Sequence, residues 1–402
     1  STRNKNLNFG FKDVFLRGLA PEGGLFIPKK IKTYNESELK DLSKMSYVEL
    51  ATEIISNFCS PDIEKNKLNK VINKSYKNFT TKDVVEIKKI GDINLVELYH
   101  GPTLAFKDVA MQVIGNMYDE LKLSSEKKIN IVVATSGDTG SAAISALNDR
   151  KNINVFVLHP HNKISNIQRK IMTTIGSNNI YNIAIKGTFD DCQRLVKAAF
   201  LDRRLAEERN LTSANSINIA RLIPQAFYYF HAARQLPEGT EPVFVVPSGN
   251  FGNLTAGLLA NRMGLPVRQF VAATNVNDVV PAYLESGSYE PRPSLPTISN
   301  AMDVGAPSNF VRMLEIHQHQ HGLMADRIAG RRFEDEETRA AIRAVKAATG
   351  YVIEPHGAVA YLAAEAWQAD HPNDEMIVLE TAHPSKFLDV IEEELGGGVI
   401  EI

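Results

Sequence analysis

Apolar positions along the chain follow two rhythms. From about residue 93, short runs of Val, Ile, Leu and Phe alternate with stretches whose apolar residues recur every three or four positions. The runs INLVELY, INIVVATSGD, NVFVLHP, IYNIAIKG, EPVFVVPSGN and RQFVAATN read as strands. Helices are predicted from Lys107 to about Leu121, in TGSAAISALND, in KISNIQRKIMTTIG and over residues 188 to 207. A long helix is expected after TSANSIN, and another in GNLTAGLLANRMG. Strands spaced by helices of this length imply parallel βαβ crossovers and an open α/β sheet. The unbroken apolarity of IVVA and VFVV suits strands covered on both faces. Residues 1 to 90 are richer in Lys and Asn, with helical stretches such as NESELKDLSKMSYVELATEIISNF, and read as an N-terminal subdomain. The segment LGGGV near the other end reads as a loop or a frayed terminus.

Composition narrows the function classes. The chain has 402 residues, room for two domains, and is 44% hydrophobic and 23% charged, as soluble globular proteins are. A net charge of −2 gives no bulk attraction to nucleic acid or to an anionic membrane. No uncharged stretch approaches the ~20 apolar residues of a membrane span. The opening STRNKNLNFG has no apolar run of the signal-peptide kind, and the two cysteines, Cys59 and Cys192, suggest no disulfide framework. The expected compartment is the cytoplasm.

One cation stands out. Lys107 follows Leu104, Ala105 and Phe106 and precedes Val109, Ala110 and Met111, at a predicted helix start where the dipole disfavours positive charge. Apolar surroundings also favour the neutral amine. One reading is a snorkelling lysine whose stem covers apolar surface; the other is an amine that forms a Schiff base with an aldehyde cofactor.

Three loops at strand ends are ready for anions. TSGDTG offers Ser136 and Thr139 at a helix start. SGNFGN follows VFVVP, with Gly249 and Gly252 permitting close backbone approach. SANSINIAR places Asn215, Ser216 and Asn218 before a helix, with Arg221 about one turn in. Each loop taken alone also reads as ordinary capping and turn chemistry. Ligands in open α/β sheets gather beyond the carboxyl ends of the strands, where all three lie.

The motifs HGPTLAFKD, ATSGDTG, TSANSINIAR, PSGNFGN, AATNVND, SNAMDV, EPHGAVAY and TAHPSKF, with GLAPEGGLFIP near the start, together resemble the threonine synthase family of the bacterial and fungal branch. The resemblance runs in order over nearly the whole chain. It implies a fold-type II pyridoxal 5'-phosphate enzyme of the tryptophan synthase β-like class, with two open parallel-sheet domains. A larger domain would comprise 91–108 and 225–402, with a smaller one, 109–224, inserted in it. The implied reaction converts O-phospho-L-homoserine and water to L-threonine and phosphate. Lys107 would form the Schiff base. Gly249, Asn250, Phe251, Gly252 and Asn253 would wrap the cofactor phosphate, Thr381 would bond the pyridine nitrogen, and Asp138 would lie near the phenolic oxygen. Ser136 and Thr139 would take the substrate carboxylate, and Asn215, Ser216 and Arg221 the substrate phosphate. A hydroxyl such as Thr381 would not hold the ring nitrogen protonated as an aspartate would, so a milder electron sink is expected. The assembly would be a monomer or a homodimer.

The rival readings are another fold-type II eliminase, such as a serine or threonine dehydratase, and a relative that binds phosphorylated ligands without turnover. Of His100, His356 and His383, the last is expected nearest the ring because it follows Thr381 by two residues. His317, His319 and His321 alternate, but on a predicted helix this spacing does not gather them on one face, and no metal site is expected. Tyr228, Tyr229 and Phe230 are expected in the core.

Overall fold

A computed structural model describes residues 1–121 and 128–400. Ten strands are present among them: β1 Glu86–Ile90, β2 Ile93–Glu97, β3 Ile129–Ala134, β4 Ile153–Pro160, β5 Ile180–Ile185, β6 Leu211–Ser213, β7 Val243–Pro247, β8 Gln269–Thr274, β9 Ile328–Arg332 and β10 Met376–Glu380. They form two sheets. The larger has the order β1-β2-β10-β7-β8-β9, and the smaller β5-β4-β3-β6. Every pairing is parallel except β1 with β2, so the larger sheet is mixed at one edge. The sequence reading missed β1, β6, β9 and β10. β1 (EIKKI) and β9 (IAGRR) are polar edge strands without the apolar run of a central strand, and β6 has three residues.

Two predicted helices are broken. Residues 188 to 207 divide into Phe189–Leu201 and Arg203–Glu208, because Asp202 leaves the helical region and its side chain accepts from Leu205 N. The long helix after TSANSIN opens instead as two 3₁₀ turns, Ile219–Arg221 and Ile223–Gln225, before the α-helix Ala226–Ala233. Asn218 caps the first turn, and Pro224 has no N–H to give an α-helical ladder. Arg221 therefore sits in a tight turn, where its guanidinium reaches back to the strand end.

Four helices, Phe11–Arg17, Glu36–Ser43, Tyr47–Cys59 and Lys65–Tyr76, fill the first 76 residues. Capping boxes at Asn35 and Ser46 start the second and third. They pack on the helix Lys107–Glu120: the Phe15 ring lies 4.6 Å from that of Tyr118, and Tyr76 Oη donates to Val109 O at 3.1 Å. Tyr228, Tyr229 and Phe230 are buried as expected, with Tyr229 packed edge-on against Phe244 of β7. No helix among the described residues is long and apolar enough to cross a membrane.

Candidate active site

The carboxyl ends of both sheets open onto one cleft. It is lined by Lys107, by Ser136 and Thr139 after β3, and by Asn215, Ser216 and Arg221 after β6. The loop Gly249–Asn253 after β7 and Thr381 after β10 complete the set of expected residues on its wall. Asp138 is the exception. It lies behind Lys107, with Oδ2 4.0 Å from Lys107 Nζ, and its other oxygen accepts from Lys386 Nζ at 2.7 Å and Gln168 Nε2 at 3.0 Å. Asp138, expected near the cofactor's phenolic oxygen, thus stands beside two lysines, one of them Lys107.

Lys107 is held by its neighbours in the chain. Leu104 takes a left-handed φ of 57°, and Phe106 N donates to Thr381 O at 2.8 Å while His383 N donates to Leu104 O at 3.0 Å. This strap fixes the start of the helix Lys107–Glu120 beside the end of β10. Burial is the main cause that lowers the Lys107 pKa from 10.5 to about 8; Asp138 opposes it, and the charges of Arg221 and Lys386 add to it. About a tenth of such amines are neutral at pH 7, against well under a thousandth at the ordinary value. Asp138 is held well below the usual carboxylate range by Lys386 and Lys107, although its burial works the other way.

The loop 249–253 has the makings of a phosphate cradle. No backbone N–H from Gly249 to Asn253 has an acceptor among the described residues, and the helix Gly252–Arg262 begins there. Phe251 adopts a left-handed φ of 58°, a strained conformation for an aromatic residue, and its ring is buried. A Cβ on Gly252 would lie 3.0 Å from Ser216 Cβ, so glycine keeps the mouth of the cradle open. Asn309 ties the two anion loops together, donating to Ser216 Oγ at 2.9 Å and to Asn250 O at 3.1 Å.

Arg221 supplies a second positive centre. It is 3% exposed, Nη1 donates to Ala214 O at 2.7 Å, and its buried Nε has no hydrogen-bond partner among the described residues. Burial lowers its pKa to about 10, which leaves it charged. An unpaired guanidinium donor at a cleft suits a phosphate or carboxylate oxygen. Asn215 contributes differently from the expected clamp: its amide pairs with both Ala134 N at 2.9 Å and Ala134 O at 2.6 Å, extending the β3–β6 ladder. Its side chain lines the cleft beside Ser216 and Arg221. Ser136 and Thr139 hydroxyls make no hydrogen bond among the described residues, and both face the cleft.

Histidine placement differs from expectation. His356, not His383, lines the cleft. The His383 ring pairs with Ser385 Oγ at 2.8 Å and packs edge-on to Tyr99, because the side chains after Thr381 turn away from the cleft. His317, His319 and His321 face different partners: Met313 O, Glu315 Oε1 and Leu284 O.

Four functional groups escaped the sequence reading. Lys386 and Gln168 hold Asp138. Glu354, fully buried, accepts from Thr381 Oγ1 at 3.3 Å. Arg312, also fully buried, donates to Phe26 O, Ser216 O, Ile217 O and Asn309 Oδ1. The only available signal was their position inside otherwise apolar or motif-like surroundings.

Comparison with known proteins agrees with this arrangement. The family model for pyridoxal-phosphate dependent enzymes matches residues 87–381, and that for the threonine synthase N terminus matches residues 1–76. The threonine synthase of Buchnera aphidicola from Acyrthosiphon pisum is 41% identical over 396 residues, spanning 98% of this chain and 90% of that protein. The threonine synthase of Escherichia coli is 40% identical over 396 residues, with the same two coverages. The crystal structure of the Escherichia coli protein matches with TM-score 0.91 at 39% identity, over 100% of this chain and 91% of that one. PLP-bound threonine synthase from Brucella melitensis matches with TM-score 0.90 at 36% identity, over 98% and 90%. With sequence, fold and N-terminal module in agreement along nearly its whole length, this chain belongs to the threonine synthase family of pyridoxal-phosphate-dependent enzymes.

Proposed function

We propose that this protein converts O-phospho-L-homoserine and water to L-threonine and phosphate, with pyridoxal 5'-phosphate as cofactor. The observation that carries the reading is the pairing, in one cleft, of a buried amine with two separate anion-binding centres: the free N–H groups of 249–253 and the unpaired Nε of Arg221. One centre suits the cofactor's phosphate and the other the substrate's. A dehydratase acting on a hydroxyamino acid has no phosphate for the second centre, and a chain that merely binds phosphorylated ligands has no need of Lys107.

The residues present fit the cofactor. Lys107 would hold its aldehyde carbon, the 249–253 loop its phosphate, and Thr381 its ring nitrogen. When bound, the cofactor supplies an electron sink that stabilises negative charge at the substrate's carbons. The chain's residues do the rest. Ser136 and Thr139 orient the substrate carboxylate through their hydroxyls. The Lys107 amine, its pKa already brought toward neutrality, takes the proton from Cα and then from Cβ. Asp138, itself held by Lys386, stands 4.0 Å behind that amine. Arg221 and Ser216 receive the phosphate leaving from Cγ, and phosphate kept there helps position the water that adds at Cβ.

The test is borohydride reduction of cofactor-replete protein followed by peptide mass spectrometry, with turnover of phosphohomoserine measured beside L-serine and L-threonine. A pyridoxyl group on Lys107 and threonine from phosphohomoserine alone are expected. A label on another lysine, or preferential deamination of the hydroxyamino acids, would overturn the reading.

A further inference from the structure

We propose that Asn309 is a positioning residue that sets the chain length of the substrate, by holding the cofactor-phosphate loop and the substrate-phosphate clamp at a fixed separation. The inference rests on the reading of 249–253, and of Ser216 with Arg221, as those two centres.

Asn309 is fully buried and stands just before the helix Phe310–Ile316. The orientation of its amide is forced. Oδ1 accepts from Arg312 Nη1 at 2.5 Å, and a guanidinium has donors only, so the amide oxygen belongs on that side. The NH₂ group is left to the two loops, where it donates to Ser216 Oγ at 2.9 Å and to Asn250 O at 3.1 Å. The backbone repeats the link on the cofactor side: Asn309 N donates to Asn250 O at 3.2 Å, and Ser308 N to Asn250 Oδ1 at 3.2 Å. Arg312 does so on the substrate side, donating to Ser216 O at 2.7 Å and to Ile217 O at 2.6 Å. The stretch from Ser308 to Arg312 thus grips both loops, and Asn309 is the residue in it whose side chain bonds to both at once. There is little slack between them. A Cβ on Gly252 would lie 3.0 Å from Ser216 Cβ and 3.4 Å from Asn309 Nδ2.

A fixed separation measures length. The cofactor's phosphate belongs in 249–253 and its aldehyde carbon at Lys107, so the amine end of a substrate is placed relative to that loop. The substrate's phosphate belongs at Ser216 and Arg221. A carbon chain of the right length makes both sets of contacts, whereas one methylene fewer forfeits part of one set. The clamp cannot follow a shorter ligand inward while Asn309 bonds both loops. Asn309 does this from behind the cleft wall, on which it has no place of its own.

Unreactive homologues test the proposal, because a carbon–phosphorus bond does not release phosphate. L-2-amino-5-phosphonopentanoate copies the length of phosphohomoserine, and L-2-amino-4-phosphonobutanoate is one methylene shorter. Their dissociation constants are measured by calorimetry on the holoenzyme. The unsubstituted protein is expected to prefer the longer one. Asn309→Ala should cut that preference about threefold or more, the worth of one hydrogen bond, while the absorbance of the bound cofactor persists. A residue with a merely structural role would weaken both homologues alike. Equal weakening, an unchanged preference, or no preference in the unsubstituted protein overturns the proposal. Should Asn309→Ala fail to fold, Asn309→Asp decides by the same comparison. It keeps an oxygen for Arg312 and withdraws the amide donor from both loops, and its added charge acts on both phosphonates, so it cancels in their ratio. A holoenzyme that binds neither homologue refutes the reading of the substrate, and this inference with it. One that binds the longer homologue, with the variant's preference unaltered, refutes the inference alone.

Discussion

Lys386 Nζ lies 2.7 Å from Asp138 Oδ1, and neither side chain reaches solvent to any useful extent. The lysine is fully buried on the turn after β10, the aspartate starts a helix after β3, and their contact joins the two sheets directly behind Lys107. Lys386 also donates to Thr103 O at 2.7 Å, just upstream of the Lys107 strap. The ion pair is a brace for the amine, and its charges tune that amine in opposite directions.

Lys386→Met should therefore do two measurable things. Removing one partner of a buried pair typically costs about 3–5 kcal/mol, because the other charge is left uncompensated; urea unfolding measures this. It should also raise the Lys107 pKa, since the positive charge of Lys386 is one of the causes lowering it. In the cofactor-free protein, the pH at which pyridoxal phosphate loads half-maximally fast should move up. Loading that moves to lower pH would contradict this account.

Arg221→Lys should weaken the substrate rather than the cofactor. A lysine keeps a charge but loses the Nε donor and the planar fork. A charge-assisted hydrogen bond is worth about 1.5–3 kcal/mol, so KM for phosphohomoserine should rise about 10- to 150-fold. The absorbance of bound cofactor should stay, because the 249–253 loop is untouched. Equal loss of both would mean that the two anion centres are one.

Arg312 makes a related case through structure alone. Its guanidinium has no carboxylate partner among the hydrogen bonds described and instead gathers three backbone carbonyls and Asn309 Oδ1. Burial lowers its pKa to about 9, so it remains largely charged near neutral pH. Arg312→Met strands four buried acceptors, at about 1–3 kcal/mol for each that water does not reach. The variant should lose several kcal/mol of stability in urea. Surviving folded protein should show a raised KM for phosphohomoserine, because Ser216 and Asn309 both lose an anchor.

How much of this was readable in the sequence follows from what is local. The strands β3, β4, β7 and β8 each contain an apolar run of three to five residues, and the loops at their ends announce themselves by Gly, Ser, Asn and Asp at helix starts. Lys107 was legible because its neighbours are apolar. The clamp was partly legible: Asn215 has the residue type of a ligand, yet its amide completes a β-ladder that no local pattern reveals. Glu354, Lys386 and Arg312 were not legible as parts of the site. Each acts on a residue distant in the chain, and a buried charge gives no periodic signal. His383 misled because two residues after Thr381 is close in sequence, whereas the chain turns there and packs the ring on Tyr99.

Glu380 gives the protein an inverted pH dependence that can be isolated. The side chain is fully buried, Oε1 accepts from Glu354 N at 3.0 Å, Oε2 has no partner among the described residues, and a Cβ at Gly357 would collide with it. Its carboxyl is pushed well above the ordinary value by burial and by Glu354. The sign follows. Above the unfolded pKa of about 4.3 the unfolded chain gives up this proton and the folded chain keeps it, so the unfolded state binds fewer protons and stability falls as pH rises. The slope from this one group is about 1.4 kcal/mol per pH unit, until the folded group itself ionises. Glu380→Gln removes the proton from the balance. The stability of the unsubstituted protein minus that of the variant should decline steadily from pH 5 upward when both are unfolded in urea. A difference that stays flat over that range would show Glu380 to be ionised in the fold.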